Sequence, residues 1–283
     1  MQPFPGSSSS INPLQATDRR HAAWSAPGGA QLLAQTDHAS RRLMMRRCMI
    51  FGAAMAAAGL VDGGVAWRRL IADHRTDIGV QRDVELNAQT SLMLNTRTAV
   101  DVTDDGRALR VRLLQGEVLL RQHLARRPVI IETPQGEVRS QQGRLVVRRF
   151  EKDTSVDVLA GSADVHPVRA ESPALQVAAG RHISFDRREI GSSTAVDPAQ
   201  TAWIDGLIVA RQMELARFVD ELQRYSSTRL SCDPNVARLP VSGSFPIADL
   251  KRVFVWLAQT MPLQVEVQNR QWGRQALMIR AIG

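Results

Sequence analysis

The chain has 283 residues, of which 44% are hydrophobic, so it is long enough for two medium-sized domains and one further segment. Its formal net charge is +8, and residues 1–75 hold nine arginines against four acidic residues. Because the rest of the chain is nearly balanced, the positive charge does not form a patch on a folded domain, which argues against nucleic acid as a partner.

Residues 48–67 are predicted to form a single transmembrane helix or signal anchor. The run from Cys48 to Val61 carries no charge, Asp62 lies toward one end, and the apolar stretch closes at Trp67. Twenty residues of this kind are enough to cross a bilayer as a helix. Four arginines precede the segment and two follow it, which favours a cytoplasmic N-terminus. A buried core helix and a cleavable signal peptide are the alternatives.

A second signal overlaps the start of this segment. Residues 40–46 read SRRLMMR and resemble a twin-arginine export signal, with Arg41 and Arg42 as the arginine pair. If the pair acts in this way, the exported part of the chain folds before it crosses the membrane.

Residues 77–190 are predicted to form an all-β domain, either a sandwich or a solenoid-like roll. Apolar and polar residues alternate with a period of two, and glycines separate the short runs. Gly116 and Glu117 are read as a turn between two strands, with Glu117 as a turn residue rather than a buried acid. The segment 191–200 (GSSTAVDPAQ after Ile190) is predicted to be a linker.

Residues 201–283 are predicted to form a small α+β module in which two helices pack on one sheet. The apolar residues at 215, 218, 219 and 222 have the spacing of an amphipathic helix, and a second stripe begins at Ile247. Short strands are expected around these helices. Trp203 and Tyr225 are expected to pack in the core or at its boundary.

No motif of a metal site or an enzyme is found. The six histidines are dispersed, and the pair Asp104 and Asp105 before Gly106 is typical of a turn. The sequence therefore predicts no catalytic residue, no cofactor and no metal.

Several short motifs in this order resemble the FecR family over roughly residues 77–283. They include Leu94-Asn95, Gly116-Glu117-Val118, residues 133–136 (TPQG), residues 203–209 (WIDGLIV) and residues 222–225 (LQRY). The C-terminal module resembles the secretin/TonB short N-terminal domain.

The resemblance implies a single-pass inner-membrane regulator with its C-terminal domains in the periplasm. Such proteins relay a signal from the signalling domain of a TonB-dependent outer-membrane receptor to a cytoplasmic extracytoplasmic-function sigma factor. A membrane protease releases the cytoplasmic part, and the usual output is transcription of iron-siderophore uptake genes. A periplasmic adaptor or envelope-binding protein without sigma-factor activity is the alternative.

The cytoplasmic part departs from the family. Residues 18–24 (DRRHAAW) resemble the family's D-x-x-H-x-x-A-W ending, with one residue fewer between the histidine and the tryptophan, which makes His21 and Trp24 the candidate sigma-factor contacts. Only seventeen residues precede this motif, too few for a helical bundle. Residues 1–47 are therefore expected to be a partly disordered remnant of the anti-sigma domain. A true start further upstream, with the first residues out of frame, is the alternative.

The expected receptor site is a strand edge in the C-terminal module. A sheet edge can accept a partner strand through backbone hydrogen bonds, while nearby apolar side chains select its sequence. Val241, Phe245 and Trp256 are the candidate receptor contacts.

Overall fold

A computed structural model gives the fold of residues 71–123, 127–171, 173–269 and 275–281. The predicted transmembrane segment 48–67 and the predicted cytoplasmic remnant 1–47 lie outside these residues. Within the described ranges, no helix combines the length and the hydropathy that a bilayer crossing requires. All the described residues fall in one compact unit.

The first part of the described chain is built from strands, which confirms the β-rich fold predicted from the sequence. Its two longest strands have 14 residues each, longer than the usual five or six. The strands are β1 (His74–Arg75), β2 (Arg82–Asn87), β3 (Thr90–Leu94), β4 (Ala99–Asp104), β5 (Leu109–Gln122), β6 (Val129–Glu132), β7 (Gly136–Ser140), β8 (Gly143–Arg149), β9 (Thr154–Pro167), β10 (Leu175–Ala178), β11 (Arg181–Phe185) and β12 (Thr194–Ala195).

These strands form two layers joined by β5 and β9. The first layer holds β1, β4, β6, β7 and β10 with one half of each long strand. The second holds β2, β3, β8, β11 and β12 with the other halves. One apolar core lies between them, with Val111 and Leu113 from the first layer and Val118 and Leu120 from the second. The architecture is therefore a sandwich.

The long strand β5 changes layers at Gly116, where the sequence predicted a turn. Gly116 has a φ of +92°, and Gly161 has a φ of +77° at the corresponding bend of β9. A side chain disfavours such a backbone conformation, whereas glycine adopts it readily. The prediction of a turn at Gly116 and Glu117 is wrong, because the glycine bends one continuous strand instead of ending it.

The centre of the second layer, where β5 pairs with β8, is buried on both of its faces. The side chains of Val118 and Leu120 belong to the sandwich core, whereas Leu119 and Val146 belong to a second apolar cluster with the C-terminal residues. Strands covered on both faces read as continuous apolar runs rather than alternating ones. This explains the uninterrupted runs at 118–120 and 145–147.

The C-terminal part contains helices, and it has two small sheets where the sequence predicted one. Strands β13 and β15 pair with each other, and β14, β17 and β16 form the second sheet in that order. The elements are α1 (Pro198–Thr201), a 3₁₀ turn (Ala202–Asp205), β13 (Leu207–Glu214), α2 (Leu215–Gln223), β14 (Arg229–Cys232), β15 (Pro240–Pro246), α3 (Leu250–Thr260), β16 (Leu263–Asn269) and β17 (Gln275–Ala281).

The predicted stripe of α2 faces the second apolar cluster. Leu215, Phe218, Val219 and Leu222 are at most 2% exposed. The segment 191–200, predicted as a linker, runs close to the sandwich, because β12 pairs with β11 and the amide of Val196 donates to the carbonyl of Gly180 at 3.0 Å. It ends in α1, which Asp197 caps by accepting from the amide of Ala199.

The bend at Gly116 gives a first prediction. A β-carbon there would lie 2.6 Å from the Cα of Thr98 and would also force a side chain into a positive φ. We expect Gly116→Ala to lower the free energy of unfolding by at least about 2 kcal/mol, measured by urea denaturation.

Gly106→Ala is the matched control. Gly106 has a φ of +77° but no atom within 4 Å of the added carbon, so only the conformational cost of about 1 kcal/mol applies. Equal losses in the two variants would show that the contact with Thr98 is unimportant.

Candidate functional site

A buried carboxylate lies where the second layer of the sandwich meets the C-terminal part. Glu117 follows the bend of β5 and is 3% exposed. Its Oε2 accepts a hydrogen bond from the guanidinium of Arg224, the residue after α2, and a second from Asn95 Nδ2 at 2.9 Å. The prediction that Glu117 is a turn residue is therefore wrong, because it is a buried acid with a cationic partner.

Asn95 connects this carboxylate to two further segments. It is fully buried, and its Nδ2 also donates to the hydroxyl of Tyr225 at 3.0 Å. Its Oδ1 accepts from Gln81 Nε2 at 3.2 Å and from the amide of Thr96 at 2.8 Å. The Asn95 amide thus makes all four hydrogen bonds it can form. We call Asn95, Glu117, Arg224 and Tyr225 the junction cluster.

The first described residues of the chain are tied to the same place. Thr76 Oγ1 accepts from the amide of Thr98 at 2.9 Å and donates to the carbonyl of Asn95. The amide of Gly79 donates to Thr96 Oγ1 at 2.8 Å, and that hydroxyl donates to the carbonyl of Arg224 at 3.0 Å. The segment before β2 therefore packs against the junction cluster.

Charge is concentrated beside the cluster. Glu221 lies 3.0 Å from Arg224 and 3.7 Å from Arg148 of β8. Burial disfavours the charged form of Glu221, but the guanidinium groups of Arg224 and Arg148 outweigh burial and lower its pKa. For Arg224, burial likewise opposes the charge, and the carboxylate of Glu117 raises its pKa. Both groups therefore carry their charges in the folded protein.

The predicted receptor contacts lie together in the C-terminal part. Val241 and Phe245 are 1% and 4% exposed and belong to the apolar cluster. The ring of Phe245 lies 4.7 Å from that of Phe218 and 5.0 Å from that of Trp256, between ring centroids. Trp256 is half-buried and lines a groove of about 400 Å³ between β15 and α3.

The other predicted site residues cannot be placed. His21, Trp24, Arg41 and Arg42 lie outside the described residues.

Trp203 and Tyr225, which were expected to pack in the core or at its boundary, are 3% and 6% exposed.

The junction cluster was not predicted from the sequence, although its four residues lie in motifs that the sequence shows. Asn95, Glu117, Arg224 and Tyr225 all belong to short motifs on which the family resemblance rests. The usable signal was a polar residue next to an apolar run, as for Asn95 after residues 92–94 and Glu117 before residues 118–120, whereas Arg224 has no such neighbour. Among the described residues, no group of three or more His, Cys, Asp or Glu side chains could hold a metal ion.

Comparison with known proteins finds a family that resembles part of this chain. The FecR family profile, described as FecR protein, matches residues 72–164, which span β1 to most of β9. Residues 72–164 are therefore FecR-like. The curated proteins contain no match.

Two crystal structures have a fold similar to the one seen here. Each is described as a provisional anti-sigma factor from Parabacteroides distasonis ATCC 8503. One is 17% identical, with a TM-score of 0.58, and the alignment covers 74% of this chain and 99% of that one. The other is 19% identical, with a TM-score of 0.55 and coverage of 72% and 97%. At this identity the likeness concerns the fold, and it extends well beyond residues 72–164.

Breaking the buried ion pair gives a second prediction. Arg224→Met leaves the Glu117 carboxylate buried without its cation, and we expect a loss of about 3–5 kcal/mol in the free energy of unfolding. Arg110→Met is the control, because Arg110 is half-exposed and pairs with Asp105 and Glu132 on the surface. Its cost should stay below about 1 kcal/mol. Similar small losses in both variants would contradict a structural role for the Arg224 pair.

A third prediction concerns Tyr225, the single tyrosine of the chain. Burial, aided by the charge of Glu117, raises its pKa from the ordinary 10.0 to about 12. Because the folded state holds the phenol proton more tightly, this contribution to stability is complete below pH 10 and is lost as the pH rises through about 12. Tyrosinate absorbance should therefore appear near pH 12. A midpoint near 10 in protein that still shows its native circular dichroism spectrum would contradict the buried position.

Proposed function

We propose that this chain is a single-pass inner-membrane regulator of an extracytoplasmic-function sigma factor. The match of residues 72–164 to the FecR family carries the proposal, and the fold shared with a provisional anti-sigma factor supports it. The N-terminus lies in the cytoplasm and the described residues lie in the periplasm. The signal comes from a TonB-dependent outer-membrane receptor, a membrane protease transmits it, and iron-siderophore uptake genes are transcribed.

The receptor's signalling domain binds the groove between β15 and α3. Strand β15 pairs only with β13 among the described residues, so a partner strand can pair with its other edge, where Ser244 presents both backbone groups and Pro246 a carbonyl only. Trp256 supplies a half-buried aromatic surface in this groove, as is common at interface anchors. Val241 and Phe245 face the apolar cluster, so their contribution is to hold β15 in position.

The regulatory role is tested by transcription in the native host. Deletion of the gene should change the transcription of the neighbouring receptor gene severalfold, upward if the chain inhibits its sigma factor and downward if it activates it. Transcription that stays the same with and without siderophore would overturn the regulatory role and favour an envelope adaptor.

The receptor site is tested in the same reporter strain by complementation. Trp256→Ala should abolish the response to siderophore at an unchanged protein level. Val255→Ala is the matched control, because Val255 is the next residue of α3, is 54% exposed and does not line the groove. Loss of the response in both variants would show that the helix, and not the groove, is required.

A further inference from the structure

A second cleft lies beside β13, between the sandwich and the C-terminal part. Its volume is about 580 Å³, within the range of about 300–1,000 Å³ that ligand-binding clefts occupy. Residues of β8, β9 and β11 line one side and residues of α2 line another. All residues of β13 except Ala210 also line it. The cleft therefore follows a strand over its length.

The backbone of β13 has free hydrogen-bonding groups on one edge. The amide of Ile247 donates to the carbonyl of Gly206 at 2.9 Å, and alternate residues of an antiparallel strand point to opposite edges. Ile208 therefore bonds to β15, while the N–H and C=O groups of Leu207 and Val209 point to the other edge. Among the described residues, no hydrogen bond to these groups is formed.

The opposite edge of the same sheet is a poorer acceptor of a strand. Pro246 is the β15 residue paired with Leu207, so its nitrogen occupies the position from which an outward N–H would point. Proline has no N–H to donate, and it blunts an edge strand. The β13 edge has both donors and acceptors at Leu207 and Val209.

The free edge is short. After Ala210 the pairing with β15 shifts, and Gln212 has a φ of +52°, which is unusual for a residue with a side chain. Such a bulge bends the strand and ends the regular ladder. The regular edge therefore spans residues 207–210, about 13 Å at 3.3 Å per residue.

Positive charge lies next to this edge. Arg211 and Arg217 are exposed, and among the described residues no carboxylate lies within 4 Å of either guanidinium. Arg148 and Arg224 both approach Glu221, and Arg217 also lowers the pKa of that carboxyl. Three guanidinium groups thus surround one carboxylate.

Other carboxylates line the cleft, but two of them already accept hydrogen bonds within the protein. Asp153 accepts from the hydroxyl of Ser184 at 2.7 Å, and Asp197 caps α1. Glu214 is exposed at the end of β13, beyond the bulge. The side chains next to the regular edge therefore favour an acidic partner.

The charges also argue against a second copy of this chain as the occupant. Two β13 strands paired edge to edge would bring the arginines of both copies, Arg211 and Arg217, into the same cleft. Like charges that face each other across paired strands are destabilising. A strand with carboxylates would instead pair with them.

We propose that the β13 cleft binds an extended segment of a partner protein, about four residues long, whose backbone pairs with β13 and whose side chains alternate between apolar and acidic. The apolar side chains contact the half-buried faces of Leu207 and Val209, and the carboxylates face Arg211 and Arg217. This edge differs from the one assigned to the receptor, so the two proposals can fail separately.

The test uses the full chain, purified in detergent, and three synthetic fluorescent peptides of six residues. Each peptide alternates glutamate with valine, leucine or phenylalanine, and its ends are acetylated and amidated. Fluorescence anisotropy gives the affinities. At least one acidic peptide should bind about tenfold more tightly than the same peptide with lysine in place of glutamate.

Two variants then locate the binding. Arg211→Glu combined with Arg217→Glu should weaken the acidic peptide at least about tenfold and improve binding of the lysine peptide. Arg252→Glu is the matched control, because Arg252 is exposed and lines the β15 groove instead. Both changes are at exposed side chains, and thermal denaturation monitored by circular dichroism checks that the variants are folded.

Backbone pairing is tested with N-methylated peptides. Methylation of the peptide nitrogens that face β13 should abolish binding, whereas methylation of the alternate nitrogens should leave most of it. The proposal is overturned if none of the three acidic peptides binds with a dissociation constant below about 1 mM. It is also overturned if Arg252→Glu is the change that abolishes binding, or if the position of methylation has no effect on the affinity.

Discussion

The Glu117 carboxylate and the Arg224 guanidinium meet inside the protein, at the place where the sandwich and the C-terminal part join. A buried carboxylate without a cation is strongly unfavourable, because protein replaces the water that would solvate it. The two residues are 107 positions apart in the sequence, so the charge is balanced only when α2 lies against β5. Replacing a buried ion pair by apolar residues is often neutral for stability. The main consequence of the pair is therefore that it fixes how the two parts fit together.

Apolar packing supports the same arrangement. The second layer of the sandwich has no solvent-facing side at its centre, because Leu119 and Val146 pack against residues of the C-terminal part. Separation of the two parts would expose these side chains as well as the Glu117 carboxylate. Because the polar and the apolar contacts are lost together, we expect the described part of the chain to behave as one unit and not as two domains on a flexible linker.

The sequence predicted the secondary-structure elements better than the contacts between them. The period of two marked the strands, and the stripe from Leu215 to Leu222 marked a helix, because both patterns reflect burial of one face. The bend at Gly116 was read as a turn, since a glycine with a positive φ occurs in both. The ion partner of Glu117 could not be predicted, because pairing across such a distance depends on the tertiary fold. For β15, the sequence located the strand but not the direction of its side chains, so Val241 and Phe245 were named as contacts although they are buried.

The hydrogen bonds of Thr76 and Gly79 have a mechanical consequence. They fasten the start of the described chain to Asn95 and Thr96, and those residues bond in turn to Tyr225 and Arg224. A tensile load applied to the chain before residue 76 would reach these bonds before it reached either apolar core. The two-residue strand β1 adds little resistance, because it can be peeled from β4 a pair at a time. The main resistance at this end is therefore next to the junction cluster, and loosening that cluster would lower the force that this end of the described chain withstands.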